Sequence, residues 1–304
     1  MSEQDRQRRG VLYGLGAYGL WGAVPLFWPL VARAGSLELL AHRVVWSLVI
    51  SGLLALVLLP RGWFGRLANR RTLLMLGLAA AVVSVNWGLY IWAVNHGHVL
   101  ETSLGYYINP ILSILVGVVV LGERMAALQW VSVGLAAVAV VVLTVEYGRL
   151  PWISLVLAAS FATYGVMKKQ VNGGAVETLT VESALLVPVA LGYLVHLQAR
   201  GGSTFITLGW SHSLLLVATG VVTVVPLLFF AASATRLPLS TLGLLQYLAP
   251  TLQFLLGVSY FGEQMSTGRW VGFGLVWLAL MLMSGHGLHR ANANRRERLV
   301  AEPV

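Results

Sequence analysis

LGYYINPILSILVGVVVLGERMAALQW, residues 104–130, recurs without a gap as LLQYLAPTLQFLLGVSYFGEQMSTGRW, residues 244–270. The offset of 140 carries Tyr107 onto Tyr247, Pro110 onto Pro250, Gly117 onto Gly257, Gly122-Glu123 onto Gly262-Glu263, Met125 onto Met265 and Trp130 onto Trp270. A weaker match pairs AYGLWG (17–22) with FATYGV (161–166), and Glu38 and Glu177 stand at comparable places before the second apolar segment of each half. The chain therefore reads as two copies of one unit.

The material of that unit is membrane helix. Hydrophobic residues make up 58% of the chain and charged residues 10%, where a soluble domain carries about 25% charged residues. A spanning helix needs about 20 apolar residues. Breaks at polar, Gly or Pro positions give segments near 11–33, 37–59, 72–95, 99–121, 126–145, 150–169, 178–198, 212–235, 239–261 and 267–288, ten in all. The first of these outruns the h-region of a signal peptide, so it is expected to stay as a span.

Five spans per repeat is an odd number, so the second copy is expected to run upside down through the bilayer. With the N-terminus cytoplasmic, 15 Lys and Arg fall inside and four (Arg33, Arg149, Arg200, Arg269) outside, with Arg43 within a span. That bias predicts both termini inside. The expected architecture is all-α, ten transmembrane helices in two inverted five-helix repeats. Its segments are a cytoplasmic stretch 1–10, a first repeat 11–145, a second 146–288, and a polar, disordered cytoplasmic tail 289–304. Inverted repeats are a transporter design, with the site at their interface.

The P-x(11)-GE spacing closing the fourth span of each half resembles the EamA-type proteins of the drug/metabolite transporter superfamily. LGAYGLWGAVPLFWPL (15–30), ELLAHRVVWS (38–47), NWGLYIWAVNHGHVLETSLGYYINP (86–110) and LGER (121–124) resemble the RarD group within it. The second half departs from the first, with Pro226 where Asn86 stands. The resemblance implies a permease, a bacterial cytoplasmic membrane, a link to chloramphenicol sensitivity or resistance, and a cavity lined by spans one, three, four, six, eight and nine.

The polar residues within the spans are the candidate site. An Arg at a span centre costs about 2.5–3.5 kcal/mol on insertion scales. Arg43 either snorkels or, since the offset of 139 sets it against Glu182, pairs with that carboxylate directly or through substrate. His42 shares a helix face with Trp46 and is a candidate proton carrier, or a packed histidine. Asn86 and Tyr90 share a face of span three. Tyr106, Asn109 and Ser113 share one of span four, where Pro110 is expected to bend the helix and free a carbonyl; Pro250 is expected to do the same. Tyr164 shares a face of span six with Lys168, which is expected to snorkel. Trp21, Tyr107, Gln246 and Tyr247 complete the expected substrate-binding set.

Other features have plainer readings. Asn95, His96, His98 and Glu101 read as ordinary loop polarity, and two His fall short of the three or four ligands of a zinc site, so no metal is expected. Glu123 and Glu263 are expected to cap the helices that follow them. GLGAYG (14–19) fits a dinucleotide fingerprint but opens a membrane span instead of following a strand. No cofactor, nucleic acid or enzymatic role is expected. The expected partners are the lipid bilayer, a small organic substrate and a coupling proton. An uncoupled facilitator or a sensor without flux stays open beside the transporter.

Overall fold

A computed structural model describes residues 3–121, 127–171, 173–237, 241 and 244–301. Eleven α-helices and no strand occur among the described residues. They are α1 Glu3–Ala23, α2 Gly35–Leu58, α3 Trp63–Leu67, α4 Arg70–Asn95, α5 Val99–Leu121, α6 Ala127–Tyr147, α7 Trp152–Lys169, α8 Ala175–Ala199, α9 Trp210–Ala234, α10 Leu248–Ser259 and α11 Thr267–Ala301. Among the described residues, six helical stretches, including α4, α6, α8 and α9, are long and apolar enough to cross a bilayer. α7 and α10 are shorter apolar helices.

Local chemistry sets the ends. Asn69 accepts a hydrogen bond from the Thr72 backbone N–H at 2.9 Å and starts α4. Glu177 accepts from the Gly174 N–H at 2.8 Å and starts α8. Pro25 and Pro29 cannot supply the N–H groups of a continuing α-helix. The first predicted span therefore stops as α-helix at Ala23 and continues as 3₁₀ turns over Val24–Leu26 and Trp28–Ala34. Gly35, at φ +69°, turns that segment into α2. Irregular backbone at membrane depth is tolerated where protein covers it, and Val24, Pro25, Trp28, Val31 and Ala34 are buried.

Three other expectations change. The ninth predicted span is interrupted: among the described residues it is helical at 241 and 244–245, turns at Gln246-Tyr247, and resumes as α-helix at Leu248. Pro250 is then the third residue of α10, where an N–H has no helical partner to lose; it bends nothing. Pro110 lies inside α5 and offers no N–H to the Tyr106 carbonyl four residues back. The expected disordered tail is helical through Ala301, because 289–301 contains Ala, Arg, Glu and Leu and no Gly or Pro. Gly122, Glu123 and Met125 lie outside the described residues.

The helices pair reciprocally. α1 packs on α9 and α4 on α7; α5 packs on α7 and α1 on α10; α2 packs on α9 and α4 on α8. The remaining large contacts are α2 with α8, α5 with α10 and α6 with α11. Gly35, Arg70 and Ala127 open α2, α4 and α6, and Ala175, Trp210 and Thr267 open α8, α9 and α11, in each case 140 residues later. α2 and α9 touch so closely that a Cβ on Gly220 would lie 2.6 Å from the Trp46 carbonyl carbon. Outward faces are apolar; Leu56 is 80% exposed and Val57 81%. Water would penalise such a surface, whereas lipid tails are its matching solvent.

Candidate functional site

Arg43 sits on α2 eight residues beyond Gly35, roughly 12 Å along the axis. Its side chain does not snorkel: the residue is 9% exposed. The guanidinium carbon lies 4.0 Å from the ring centroid of Trp87 on α4 and 5.6 Å from that of Trp28 in the 3₁₀ segment. A desolvated cation–π contact is worth about 2 kcal/mol. Two of them are comparable with the roughly 2.5–3.5 kcal/mol of placing an Arg at a span centre. The expected ion pair with Glu182 is not made, and among the described residues no carboxylate pairs with Arg43.

Glu182 has a nearer partner. Its Oε1 accepts from Lys168 Nζ at 2.7 Å and its Oε2 from the Tyr164 hydroxyl at 3.1 Å. Lys168 also donates to the Thr178 hydroxyl. The lysine expected to snorkel is thus held by two acceptors on α8, and that carboxylate is neutralised within its own half.

Between these two charges runs a chain of aromatic rings. Tyr90 meets Tyr106 edge-on at 5.6 Å, Tyr106 meets Phe161 at 6.2 Å, and Phe161 meets Tyr164 at 6.1 Å. Asn86, fully buried, donates to the Leu157 carbonyl at 2.8 Å and the Ser160 hydroxyl at 3.0 Å. It ties α4 to α7, and its Oδ1 accepts a 3.4 Å bond from the Tyr106 hydroxyl. Trp28 Nε1, Arg43 Nε and the Tyr90 hydroxyl are buried with no hydrogen-bond partner among the described residues.

The structure thus gathers Arg43, Asn86, Tyr90 and Tyr106, and connects them through Phe161 to Tyr164 and Glu182. Most other predicted residues lie elsewhere. Tyr107 turns toward α10 and α11, bonding Thr251 at 2.8 Å and packing on Phe273 and Trp277; Tyr247 packs against the same cluster. Gln246 and Asn109 are half-buried. Trp21 meets Tyr18 edge-on at 5.5 Å and Phe230 at 5.9 Å, and it also packs against the cluster that holds Trp28 and Tyr90. His42 packs its ring 4.9 Å from Phe205, beside the α8–α9 connection.

Trp28 and Trp87 are the site residues the sequence reading missed. The available signal was a span Arg without a neutralising acid, which calls for aromatic faces. The reading of the 95–101 turn as loop polarity is also corrected. Glu101 is buried in the first turn of α5, bonded to Arg149 at 2.5 Å and His98 at 3.2 Å, and His96 and His98 stack on Trp92. Glu263 caps α5, not the helix after it, through the N–H groups of Val99 and Leu100.

A helical membrane protein with an aromatic-walled polar seam between two similarly built halves fits the transporter class. The chain belongs to the EamA-like transporter family, which matches residues 8–145 and again 150–285, and within it to the RarD-type permeases. Protein RarD of Streptomyces exfoliatus is 57% identical, over 100% of this chain and 97% of its own. Chloramphenicol-sensitive protein RarD of Pseudomonas aeruginosa is 32% identical, over 90% of this chain and 93% of its own. One solved crystal structure shares the fold at TM-score 0.59 and 18% identity, covering 90% of this chain and 96% of that one.

Proposed function

We propose that the protein is a secondary transporter of small organic solutes that works by alternating access in a bacterial cytoplasmic membrane. On this reading ten spans form two inverted repeats, with both termini cytoplasmic. The reciprocal pairing of α1 with α9 and α4 with α7, and of α5 with α7 and α1 with α10, carries the proposal. It is the pattern a pseudo-two-fold axis generates, and rocking one repeat against the other then exposes a shared site to each side in turn. The broken first span and the break before α10 supply the discontinuous helices such sites use.

Arg43, Tyr90 and Tyr106, with Trp28 and Trp87, are the substrate contacts on this reading. Asn86 holds α4 against α7 behind them. Aromatic faces provide apolar contact, and a few polar groups fix orientation. Chloramphenicol enters as a test ligand because of the name one relative bears. The test is flux of a radiolabelled solute panel into proteoliposomes holding the full chain. Saturable uptake that trades against unlabelled solute on the far side supports alternating access. Flux linear in concentration, without exchange, replaces it with a channel, and binding without flux with a sensor.

A further inference from the structure

We infer that Arg43 binds the carboxylate of an organic monoanion, whose flat apolar body lies among Trp28, Trp87, Tyr90 and Tyr106. The inference rests on the transporter reading for its biological use, but the subsite stands on its own geometry. Among the described residues, no carboxylate neutralises the charge of Arg43. Its opposite number, Glu182, has Lys168 at 2.7 Å, whereas the guanidinium faces rings at 4.0 and 5.6 Å and no carboxylate among the described residues. Ring faces offset part of the desolvation but accept no N–H bonds, and the buried Nε is left without a partner.

A second donor points to the same ligand. The Tyr90 hydroxyl is buried and unpartnered among the described residues. Tyr90 lies in one buried cluster with Trp28, whose ring faces Arg43, and meets Tyr106 edge-on at 5.6 Å. A guanidinium fork and one or two phenolic O–H groups form a donor set that matches two carboxylate oxygens. The charge count selects the class. One uncompensated positive charge suits a monoanion, while a phosphate dianion would leave a buried negative charge in its place.

The test uses the full chain in detergent and in proteoliposomes, with benzoate and indole-3-acetate as probes. Benzamide, indole-3-acetamide and chloramphenicol serve as neutral counterparts, and chloride as a small anion. Both carboxylates are expected to raise the unfolding midpoint and to shift tryptophan emission through Trp28 and Trp87. Arg43→Gln is expected to weaken carboxylate binding on the order of tenfold to a hundredfold, from the strength of hydrogen bonds to charged groups. Tyr90→Phe, which keeps the ring and the fold, is expected to weaken it by roughly fivefold for one lost hydrogen bond.

Neutral analogues that bind as well as the acids, chloride that acts as strongly as benzoate, or carboxylates that fail to bind the wild type each overturn the inference. So does undiminished carboxylate binding in Tyr90→Phe together with Arg43→Gln. Carboxylate binding lost in Arg43→Gln but with no flux in wild-type vesicles upholds the subsite and overturns the transporter reading. Flux of neutral solutes alone does the reverse.

Discussion

Glu263 sets two electrostatic effects against each other at one carboxylate. It lies in the connection between α10 and α11, outside the spans, and accepts from the backbone N–H of Val99 at 2.5 Å and of Leu100 at 3.1 Å. A side-chain cap at a helix N-terminus is worth about 0.5–2 kcal/mol. Burial works the other way and lifts the carboxyl from 4.5 to about 7, with Glu101 adding to the rise, while the two N–H donors and Arg269 oppose it. Since that value already contains the cap, burial wins. The full linkage is roughly 3.4 kcal/mol at about 1.36 kcal/mol per unit; exposure to the aqueous rim reduces it to on the order of 1–2 kcal/mol. The folded-state value is raised, so the protonated group's contribution is full below pH 4.5 and is lost as pH climbs through about 7. Glu263→Gln, a permanent mimic of the protonated form, should match the wild type at pH 5 and melt higher at pH 8. The expected gain is roughly 2–6 °C in detergent micelles. A Gln variant that melts lower at pH 8 would show that anionic capping dominates, and would refute the argument.

Other substitutions test the packing. Lys168→Met leaves the Glu182 carboxylate, with 3% of its side chain exposed, with only Tyr164, and should cost about 3–5 kcal/mol. Glu182→Gln leaves Lys168, whose side chain is 24% exposed and can turn toward water, at a cost of roughly 1–2 kcal/mol. The double variant should lose less than the two together in a thermal-unfolding cycle; simple additivity would show no coupling. Asn86→Ala removes two bonds between α4 and α7 and should cost about 1–3 kcal/mol, measured by thermal unfolding; an unchanged midpoint would strip the tie of its role. Gly220→Ala sets a methyl 2.6 Å from Trp46 backbone and should lower expression and melting temperature. Gly192→Ala, which meets nothing within 4 Å, should be neutral or stabilising by up to about 1 kcal/mol.

Helices were legible because length and apolarity belong to each segment alone. The 140-residue period was legible for the same reason, and the structural starts at Gly35 and Ala175, Arg70 and Trp210, and Ala127 and Thr267 keep it. Partner choice was not legible. The repeat offset set Glu182 against Arg43, but a lysine at the end of α7 reaches α8 directly, and that depends on how the two helices lie. Trp87 follows Asn86 and so presents a different face; only the approach of α2 sets Arg43 under its ring. Glu101 was misread because a turn on paper is polar by default, whereas here the start of α5 is covered by Arg149 and by the connection carrying Glu263. Pro25 and Pro29 stand in the sequence, yet apolarity alone makes the span they interrupt look continuous; the missing backbone donors mark the break.

The charge asymmetry of the seam has a consequence for energetics. If Arg43 carries the ligand's counter-charge and stays with the protein, the species that crosses the membrane is the organic anion alone. Moving one charge through a potential of 100 mV is worth about 2.3 kcal/mol, which is a ratio of about 50 at equilibrium. A bacterial membrane is negative inside, so that work is delivered outward, and export of a monoanion needs no proton on His42. Vesicles loaded with benzoate and given a potassium-diffusion potential should therefore lose it faster when the interior is negative and more slowly when it is positive. Imposing a proton gradient at zero potential should change the rate little. A rate that follows the proton gradient and ignores the potential would mean that a proton accompanies the anion. His42, packed on Phe205 with both ring nitrogens unpartnered among the described residues, would then be the first residue to replace.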